Sequence, residues 1–206
     1  MRVEFKQVFD KLRGNKRFEM DTWGYNICIH AFGCWGDLGT SLSLFKEMKD
    51  SKLDSVCPDL STYNSLIHVL CLVRKVNDAL IVWEELKCSG HEPDAITYRI
   101  LIQGCCKSYR LDEATKIFSE MENNGYNPDT IVYNSLIDGL FKARKVNEAC
   151  QMFETMVQFG VRASTWTYNI LIDGLFRNAR AGAAYTLFCD LKKKGQFVDG
   201  VTYINP

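Results

Sequence analysis

Residues 130–164, from Thr130 to Ser164, read TIVYNSLIDGLFKARKVNEACQMFETMVQFGVRAS. The same order of apolar, small and polar residues recurs in three more stretches of 35 residues, which tile the chain without a gap. These stretches cover residues 60–94, 95–129 and 165–199. A fixed period of this length is typical of repeat architectures, so the sequence predicts a fold assembled from repeated units.

Each repeat contains two amphipathic segments at helical spacing. The first covers repeat positions 1–13 and, in residues 130–164, places Tyr133, Leu136, Ile137 and Leu140 on one face. The second covers positions 17–29, and a glycine follows at position 31 (Gly90, Gly125, Gly160 and Gly195), where a left-handed C-cap favours this residue. A single helix pair cannot bury its apolar face, but stacked pairs can. We therefore expect an all-α fold, a right-handed α-solenoid of stacked antiparallel helix pairs.

Repeats also account for the ends of the chain. Residues 1–21 resemble the second half of a repeat and predict a single helix, whereas residues 200–206 begin a further unit. Residues 22–59 form a degenerate repeat that carries Gly33, Gly36 and Gly39. Because glycine costs about 1 kcal/mol relative to alanine inside a helix, we expect this repeat to be looser than the others. The partial units suggest a fragment or a short member of its class.

Composition and charge limit the partners and activities that we expect for this chain. The 206 residues are 47% hydrophobic and 24% charged with a formal net charge of zero, so a nucleic-acid partner would need a local basic stripe. The apolar runs are too short for a membrane span. The nine cysteines contain no C-x-x-C spacing and are interpreted as reduced thiols, and His30, His68 and His91 suggest no metal or catalytic set. We expect no cofactor, metal, small-molecule substrate, membrane association or catalytic activity.

The motif T-Y-N-x-L-I-D-G-L-x-K…A…x-F-x-x-M…G…P-D closely resembles the pentatricopeptide-repeat proteins, over residues 22–203. The related tetratricopeptide repeat has a period of about 34 residues and lacks the Tyr-Asn at positions 4 and 5. The resemblance implies sequence-specific binding of single-stranded RNA, one base per repeat. It further implies a role in organelle RNA processing, stability, splicing or translation in plants, in the mitochondrion or alternatively the chloroplast.

The same resemblance assigns roles to particular positions. Positions 5 and 35 would read the base, and they are occupied by Asn26, Asp59, Asn64, Asp94, Arg99, Asp129, Asn134, Ser164, Asn169 and Asp199. Position 2 would wedge between bases, and it is occupied by Trp23, Ser61, Ile96, Ile131 and Trp166. Position 13 would contact phosphates, through Lys107, Lys142 and Arg177. With the protein N-terminus at the RNA 5′ end, Asn with Asp favouring U and Asn with Ser favouring C, the implied site is pyrimidine-rich, 5′-UUNCU-3′. The Arg99/Asp129 repeat is left open.

The residues alone leave other roles open at these positions. Asparagine at position 5 could bond to a neighbouring repeat, and Asp or Ser before a helix is an ordinary N-cap. Cations at position 13, and the second series at position 16 (Lys75, Arg110, Lys145 and Arg180), could complement a helix dipole. Two other functions compete: a peptide-binding scaffold of the tetratricopeptide type, and an enzyme whose catalytic domain lies elsewhere.

Overall fold

The computed structural model describes residues 2–14, 19–51 and 56–193. These residues form eleven α-helices and no strand. The helices are α1 (Arg2–Arg13), α2 (Thr22–Cys34), α3 (Leu38–Asp50), α4 (Leu60–Leu72), α5 (Val76–Cys88), α6 (Ala95–Lys107), α7 (Leu111–Asn123), α8 (Thr130–Lys142), α9 (Val146–Gln158), α10 (Thr165–Arg177) and α11 (Ala181–Lys193). From α4 onward each repeat holds one helix over positions 1–13 and one over positions 17–29, as the apolar pattern predicts.

The chain divides into two compact units, residues 1–93 and residues 94–206. In the first unit α2 packs against α3 and α4, and α4 packs against α5. In the second unit α6 packs against α7 and α8, α8 against α9 and α10, and α10 against α11. Each unit therefore stacks the first helices of successive repeats on one another, which confirms the predicted class of stacked helix pairs. Among the described helices none is long and apolar enough to cross a membrane.

The core of each unit comes from the apolar positions that the repeat pattern predicts. Tyr98 and Tyr133 at position 4 are almost fully buried. The alanines at position 20 have no exposed surface, and they are Ala79, Ala114, Ala149 and Ala184. Burial of each large apolar side chain contributes about 1.5–3 kcal/mol, so the recurring positions stabilise every helix pair in the same way.

A hydrogen bond from the position 4 tyrosine links the two helices of several repeats. The hydroxyl of Tyr25 donates to Glu47 at 2.7 Å, and that of Tyr98 donates to Glu120 at 3.3 Å. Burial raises the pKa of Tyr25 to about 12, and the hydrogen bond to Glu47 adds to the rise. The tyrosines therefore stay protonated and fix the orientation of the first helix relative to the second.

The turn between the two helices of a repeat uses a left-handed residue at position 15. The φ angles of Arg74, Tyr109, Arg144 and Ala179 lie between 59° and 61°, and Gly36 occupies the same position with φ 81°. The expected loosening effect of glycine is therefore wrong for Gly36, because it lies in a turn that favours glycine. At position 31 the prediction is confirmed, since Gly90, Gly125 and Gly160 all have positive φ. Gly195, Asp199 and residues 200–206 lie outside the described residues.

Ala179→Gly is expected to stabilise the protein. Ala179 is exposed and has φ 59°, a conformation that costs a non-glycine residue about 1–2 kcal/mol. Part of this gain is offset because glycine has more conformational freedom in the unfolded chain. We expect a net increase of about 0.5–1 kcal/mol in the free energy of unfolding, measured by chemical denaturation. Gly36→Ala, at the same position, should have the opposite sign.

Glycine also allows the first helices of successive repeats to approach closely. A Cβ atom on Gly174 would lie 2.3 Å from Cγ of Phe141, which is position 12 of the preceding repeat. In residues 22–93 the glycine is on the other helix: a Cβ atom on Gly33, at position 12, would lie 2.1 Å from Cγ2 of Val69, at position 10. Gly33 therefore does not simply weaken α2, because it permits the close contact between α2 and α4.

Candidate nucleic-acid interface

A groove of about 510 Å³ lies in the second unit along α6, α8 and α10. Its lining includes position 2 (Ile131 and Trp166), position 5 (Asn134 and Asn169) and position 13 (Lys107, Lys142 and Arg177). We call it the second-unit groove. Three of the four kinds of position that the family resemblance singled out thus share one surface in this unit, because the stacking of first helices brings equivalent residues side by side. Asp129 and Ser164 at position 35 are not among the residues that line this groove.

Position 2 projects an exposed side chain in every repeat. Trp23 is 72% exposed and Trp166 is 64% exposed, and Ser61, Ile96 and Ile131 are also exposed. Large apolar side chains of this kind are not needed for the core. Ile131 and Trp166, which belong to successive repeats, both line the second-unit groove and give it exposed apolar surface.

Asn26 at position 5 is buried and bonds directly to the position 35 residue of its repeat. Its Nδ2 donates to Oδ1 of Asp59 at 3.1 Å, and its Oδ1 accepts from the hydroxyl of Thr62 at 2.6 Å. Thr62 and Asp59 also form a capping box at the start of α4. The Thr62 hydroxyl has one proton, so it donates either to Asn26 or to Asp59 Oδ1, which lies 2.8 Å away. Asn26 therefore bonds to the next repeat through Thr62, and Asp59 is the N-cap of α4.

This network keeps Asp59 ionised. Burial raises the pKa of its carboxyl, but hydrogen bonds from the Thr62 side chain and backbone and from Asn26 outweigh burial, so the pKa lies below its usual value. The hydrogen bonds formed among the described residues all use Oδ1. Oδ2 accepts none of them, which leaves it as the acceptor that Asp59 can offer to a ligand.

Arg99 replaces asparagine at position 5 and pairs with its own position 35 residue. Its Nη1 lies 3.4 Å from Oδ2 of Asp129, and the two side chains are 34% and 48% exposed. Asp129 also accepts from the backbone N–H of Val132 through Oδ1 as the N-cap of α8. Positions 5 and 35 are again in contact here, but a ligand would meet a charged pair in place of an amide.

Asn134 differs from the other position 5 residues. It is buried like Asn26, but its Oδ1 has no hydrogen-bond partner among the described residues. Its position 35 partner is Ser164, whose hydroxyl lies 3.0 Å from the hydroxyl of Thr167 and accepts from the Thr167 backbone N–H at 3.2 Å. Serine is shorter than aspartate, and the bond that joins Asn26 to Asp59 has no counterpart here. A buried amide oxygen without a partner costs about 1–3 kcal/mol. Asn134 as a residue lines the second-unit groove, but this oxygen is shielded from solvent.

The remaining position 5 and 35 residues are placed as follows. Asn64 and Asn169 are half-buried on the first helices α4 and α10, and Asp94 is the N-cap of α6. The side chain of Asp94 accepts from the Thr97 backbone N–H at 2.8 Å. The N-cap role predicted from the residues alone is thus present at Asp59, Asp94, Asp129 and Ser164.

Two of the three cations of position 13 lie beside acidic residues that sequence reasoning missed. Lys142 Nζ is 2.5 Å from Asp138 Oδ2, and Arg177 Nε is 3.0 Å from Asp173 Oδ1. Both acids occupy position 9 and line the groove. The recurring acid–base spacing of i, i+4 was the available signal. Exposed pairs of this kind contribute about 0–1 kcal/mol, so an incoming phosphate can displace them at little cost.

The cations of position 16 have a different location. Lys75, Arg110 and Lys145 are the N-cap residues of α5, α7 and α9. Arg110 Nη2 lies 2.6 Å from Glu113, and Lys145 Nζ lies 3.3 Å from Glu148. None of the three lines the second-unit groove. Position 16 therefore supplies ion pairs at the start of the second helix rather than a second stripe in the groove.

Known sequences assign this repeat to a family. The PPR repeat family profile matches residues 58–107, 128–177 and 163–204, and a second PPR repeat profile matches residues 24–53 and 96–126. Together with the 35-residue period and the stacked helix pairs, these matches show that the chain belongs to the pentatricopeptide-repeat family.

Individual relatives are much longer than this chain. A pentatricopeptide repeat-containing protein of Arabidopsis thaliana is 72% identical over 95 residues, which is 45% of this chain and 12% of the relative. A second Arabidopsis thaliana protein of this kind, labelled chloroplastic, is 27% identical over 81 residues, 39% of this chain and 10% of the relative. The matched part of the chain thus covers about an eighth of the length of the first relative.

Solved structures show the same fold. The structure of PPR10 in complex with an 18-nt psaJ RNA element superposes with a TM-score of 0.78 at 26% identity, covering 93% of this chain and 28% of PPR10. The PPR domain of Arabidopsis thaliana protein-only RNase P 1, in complex with tRNA, has a TM-score of 0.68 at 15% identity and covers 84% of this chain and 90% of that domain. At that identity the second likeness concerns the fold alone.

Proposed function

We propose that the chain binds single-stranded RNA in the second-unit groove. The observation that carries the proposal is the lining of this groove, which brings together position 5 (Asn134 and Asn169), position 2 (Ile131 and Trp166) and position 13 (Lys107, Lys142 and Arg177). The side-chain amide of an asparagine can both donate to and accept from the edge of a base. Ile131 and Trp166 in successive repeats offer exposed apolar surfaces against which the base can stack. The solved complex of PPR10 with RNA supports the same assignment.

The electrostatics support a modest affinity that depends on salt. The chain has no net charge, so attraction to phosphates has to come from local cations such as Lys107, Lys142 and Arg177 in the groove. Stacking contributes about 1–3 kcal/mol per base, against a cost of about 4–15 kcal/mol for association and ordering. We expect micromolar or weaker binding for this chain, in a non-catalytic role in organelle RNA metabolism. The mitochondrion remains our proposed location, although one relative is labelled chloroplastic.

The finer proposal is one base per repeat, read by positions 5 and 35 on the site 5′-UUNCU-3′. Asp59 Oδ2 can accept the N3–H of U, and Ser164 can donate its hydroxyl proton to the bare N3 of C. Fluorescence anisotropy with labelled 5′-UUNCU-3′ and with poly-A of the same length tests the proposal. We expect clear preference for the pyrimidine site. Equal affinity for the two RNAs would refute base reading, and no binding to either at low salt would refute the RNA function.

Ser164→Asp is expected to change the base preferred by the repeat at residues 130–164 from C toward U. Aspartate can accept from Asn134 Nδ2 as Asp59 does from Asn26, and it presents an acceptor in place of a donor. Each correct polar match is worth about 1 kcal/mol, so the C-to-U affinity ratio should fall several-fold. The measurement is competition between 5′-UUNCU-3′ and 5′-UUNUU-3′ for wild type and variant.

The matched control for this exchange is Ser164→Thr, which keeps a hydroxyl and the N-cap. It should retain the preference for C. Thermal melts of all three proteins distinguish a change in base preference from a loss of stability. Little change in stability is expected, since aspartate, serine and threonine all cap helices. An unchanged C-to-U ratio in a normally folded Ser164→Asp protein would mean that Ser164 acts only as a helix cap.

A further inference from the structure

Three side chains of types that bind transition metals lie close together between the first helices of residues 22–93. His30 and Cys34 lie on α2, and His68 lies on α4. One ligand atom of each lies within 4.8 Å of the others. Cys34 Sγ is 3.6 Å from His30 Nε2, and the rings of His30 and His68 stack with centroids 5.3 Å apart at an interplanar angle of 9°.

We propose that His30, Cys34 and His68 form a Zn²⁺ site that joins α2 to α4, with its fourth position open to water. Zinc prefers four-coordinate tetrahedral sites of imidazole nitrogen and thiolate sulfur, with bonds of about 2.0–2.1 Å to nitrogen and about 2.3 Å to sulfur. Those bonds place ligand atoms about 3.3–3.7 Å apart. The Cys34–His30 distance already fits. Because a ring nitrogen binds a metal ion in the plane of its ring, one of the two stacked imidazoles has to turn toward the ion, and the widest separation, up to 4.8 Å, has to close by about an ångström.

The backbone around the cluster favours this arrangement. His30 and Cys34 are spaced i, i+4, which places them on the same face of α2. His68 reaches them because Gly33, beside Cys34, lets Val69, beside His68, approach closely. The position 12 glycine Gly33 therefore lies where the three ligands meet, whereas in the second unit Gly139 and Gly174 are at position 10.

The surroundings are compatible with metal entry and exchange. His30 and Cys34 are exposed and His68 is half-buried, so an ion can reach the site from solvent. Zn²⁺ binds the thiolate form of cysteine, so binding releases the thiol proton of Cys34. In the second unit the same positions 9 and 13 hold the pairs Asp138–Lys142 and Asp173–Arg177. At positions 9 and 13 the first unit thus has imidazole and thiol side chains where these two repeats of the second unit have ion pairs.

The simpler explanation is a weak hydrogen bond between the Cys34 thiol and His30, with ring stacking between the histidines. The two explanations differ in what they predict for added metal. A bound ion would tie α2 to α4 and raise the unfolding temperature of residues 1–93, because a ligand that binds only the folded state stabilises it. A hydrogen bond alone gives no response to metal.

The test uses the full 206-residue chain, reduced, freed of metal with a chelator and then dialysed. Calorimetric titration with Zn²⁺ is expected to give one equivalent bound, and Co²⁺ is expected to give the visible bands of tetrahedral coordination together with a thiolate charge-transfer band. Cys34→Ser and His68→Gln should each weaken Zn²⁺ binding at least roughly tenfold. Cys34→Ser should also remove the charge-transfer band.

Matched controls come from the same unit. Cys88→Ser removes another exposed cysteine and His91→Gln removes the third histidine, and both should bind Zn²⁺ as wild type does. Circular dichroism melts of the metal-free proteins check that each variant folds. Added Zn²⁺ should raise the melting temperature of wild type and of the controls but not of Cys34→Ser. No stoichiometric binding by wild type, or equal binding by wild type and Cys34→Ser, would overturn the site. RNA affinity does not enter the readout, so the result is independent of the proposed function.

Discussion

Gly33→Ala is expected to destabilise residues 1–93 by about 1–3 kcal/mol. The added Cβ would lie 2.1 Å and 2.4 Å from the two Cγ atoms of Val69 and 2.8 Å from its Cβ, so α2 and α4 would have to separate. Overpacking of this kind typically costs about 1–3 kcal/mol. The β-carbon also favours a helix by about 1 kcal/mol, but three contacts below normal van der Waals distance outweigh that gain. Chemical denaturation measures the change.

Gly139→Ala is the matched control, since its Cβ would meet Leu111 at 3.3 Å and Cys106 at 3.4 Å. Those neighbours need to move by only a few tenths of an ångström, and the helical gain makes a neutral or slightly stabilising result the expected one. Equal destabilisation by both substitutions would mean that glycine is needed for its backbone rather than for the close contact.

The contact itself is tested by adding Val69→Gly to Gly33→Ala. The double variant restores the arrangement of the other repeats, with glycine at position 10 and a side chain at position 12. Val69→Gly alone removes buried apolar surface and should be destabilising. Together the two changes should cost less than their sum, with a coupling energy of at least about 1 kcal/mol, since neighbours that share a contact do not behave additively. Simple additivity would contradict the proposed packing.

The period of 35 residues was sufficient to place the helices. Both helices of residues 130–164 follow from the spacing of residues such as Tyr133 and Met156, because a face that must be buried repeats at helical intervals. The role of Gly33 could not be predicted in the same way. It depends on Val69, which is 36 residues away. The sequence of α2 alone predicts only that a glycine destabilises the helix.

The candidate site was predicted by resemblance more than by physical reasoning. Position 2 is exposed and position 13 lines the groove, and the roles that the resemblance gives these positions toward RNA stay predictions. The bonds of Asn26 to Asp59 and Thr62 depend on how one repeat docks on the next, which spacing within a repeat does not reveal. For the same reason Cys34 could not be grouped with His68 from the sequence, although its i, i+4 relation to His30 was visible.

Replacing Lys107, Lys142 and Arg177 by glutamine is expected to weaken RNA binding about a hundredfold at 0.1 M salt. Each phosphate contact to a single strand contributes about 0.7 to the slope of log K against log salt, so three lost contacts lower that slope by about 2. Asp138 and Asp173 lose their partners in this variant, and their charges then repel phosphate as well. Fluorescence anisotropy from low salt upward measures both the affinity and the slope.

A second triple variant, with glutamine at Arg110, Lys145 and Arg180, removes an equal number of positive charges, all from outside the groove. It should change the slope by much less than the groove variant, because those cations make ion pairs at second-helix starts or lie beside the turn before α11. Thermal melts show whether either protein is damaged. If both triple variants reduce the slope equally, overall charge and not the groove governs binding. If neither reduces it, the position 13 side chains do not contact phosphate, and the RNA would have to bind through stacking and base edges alone.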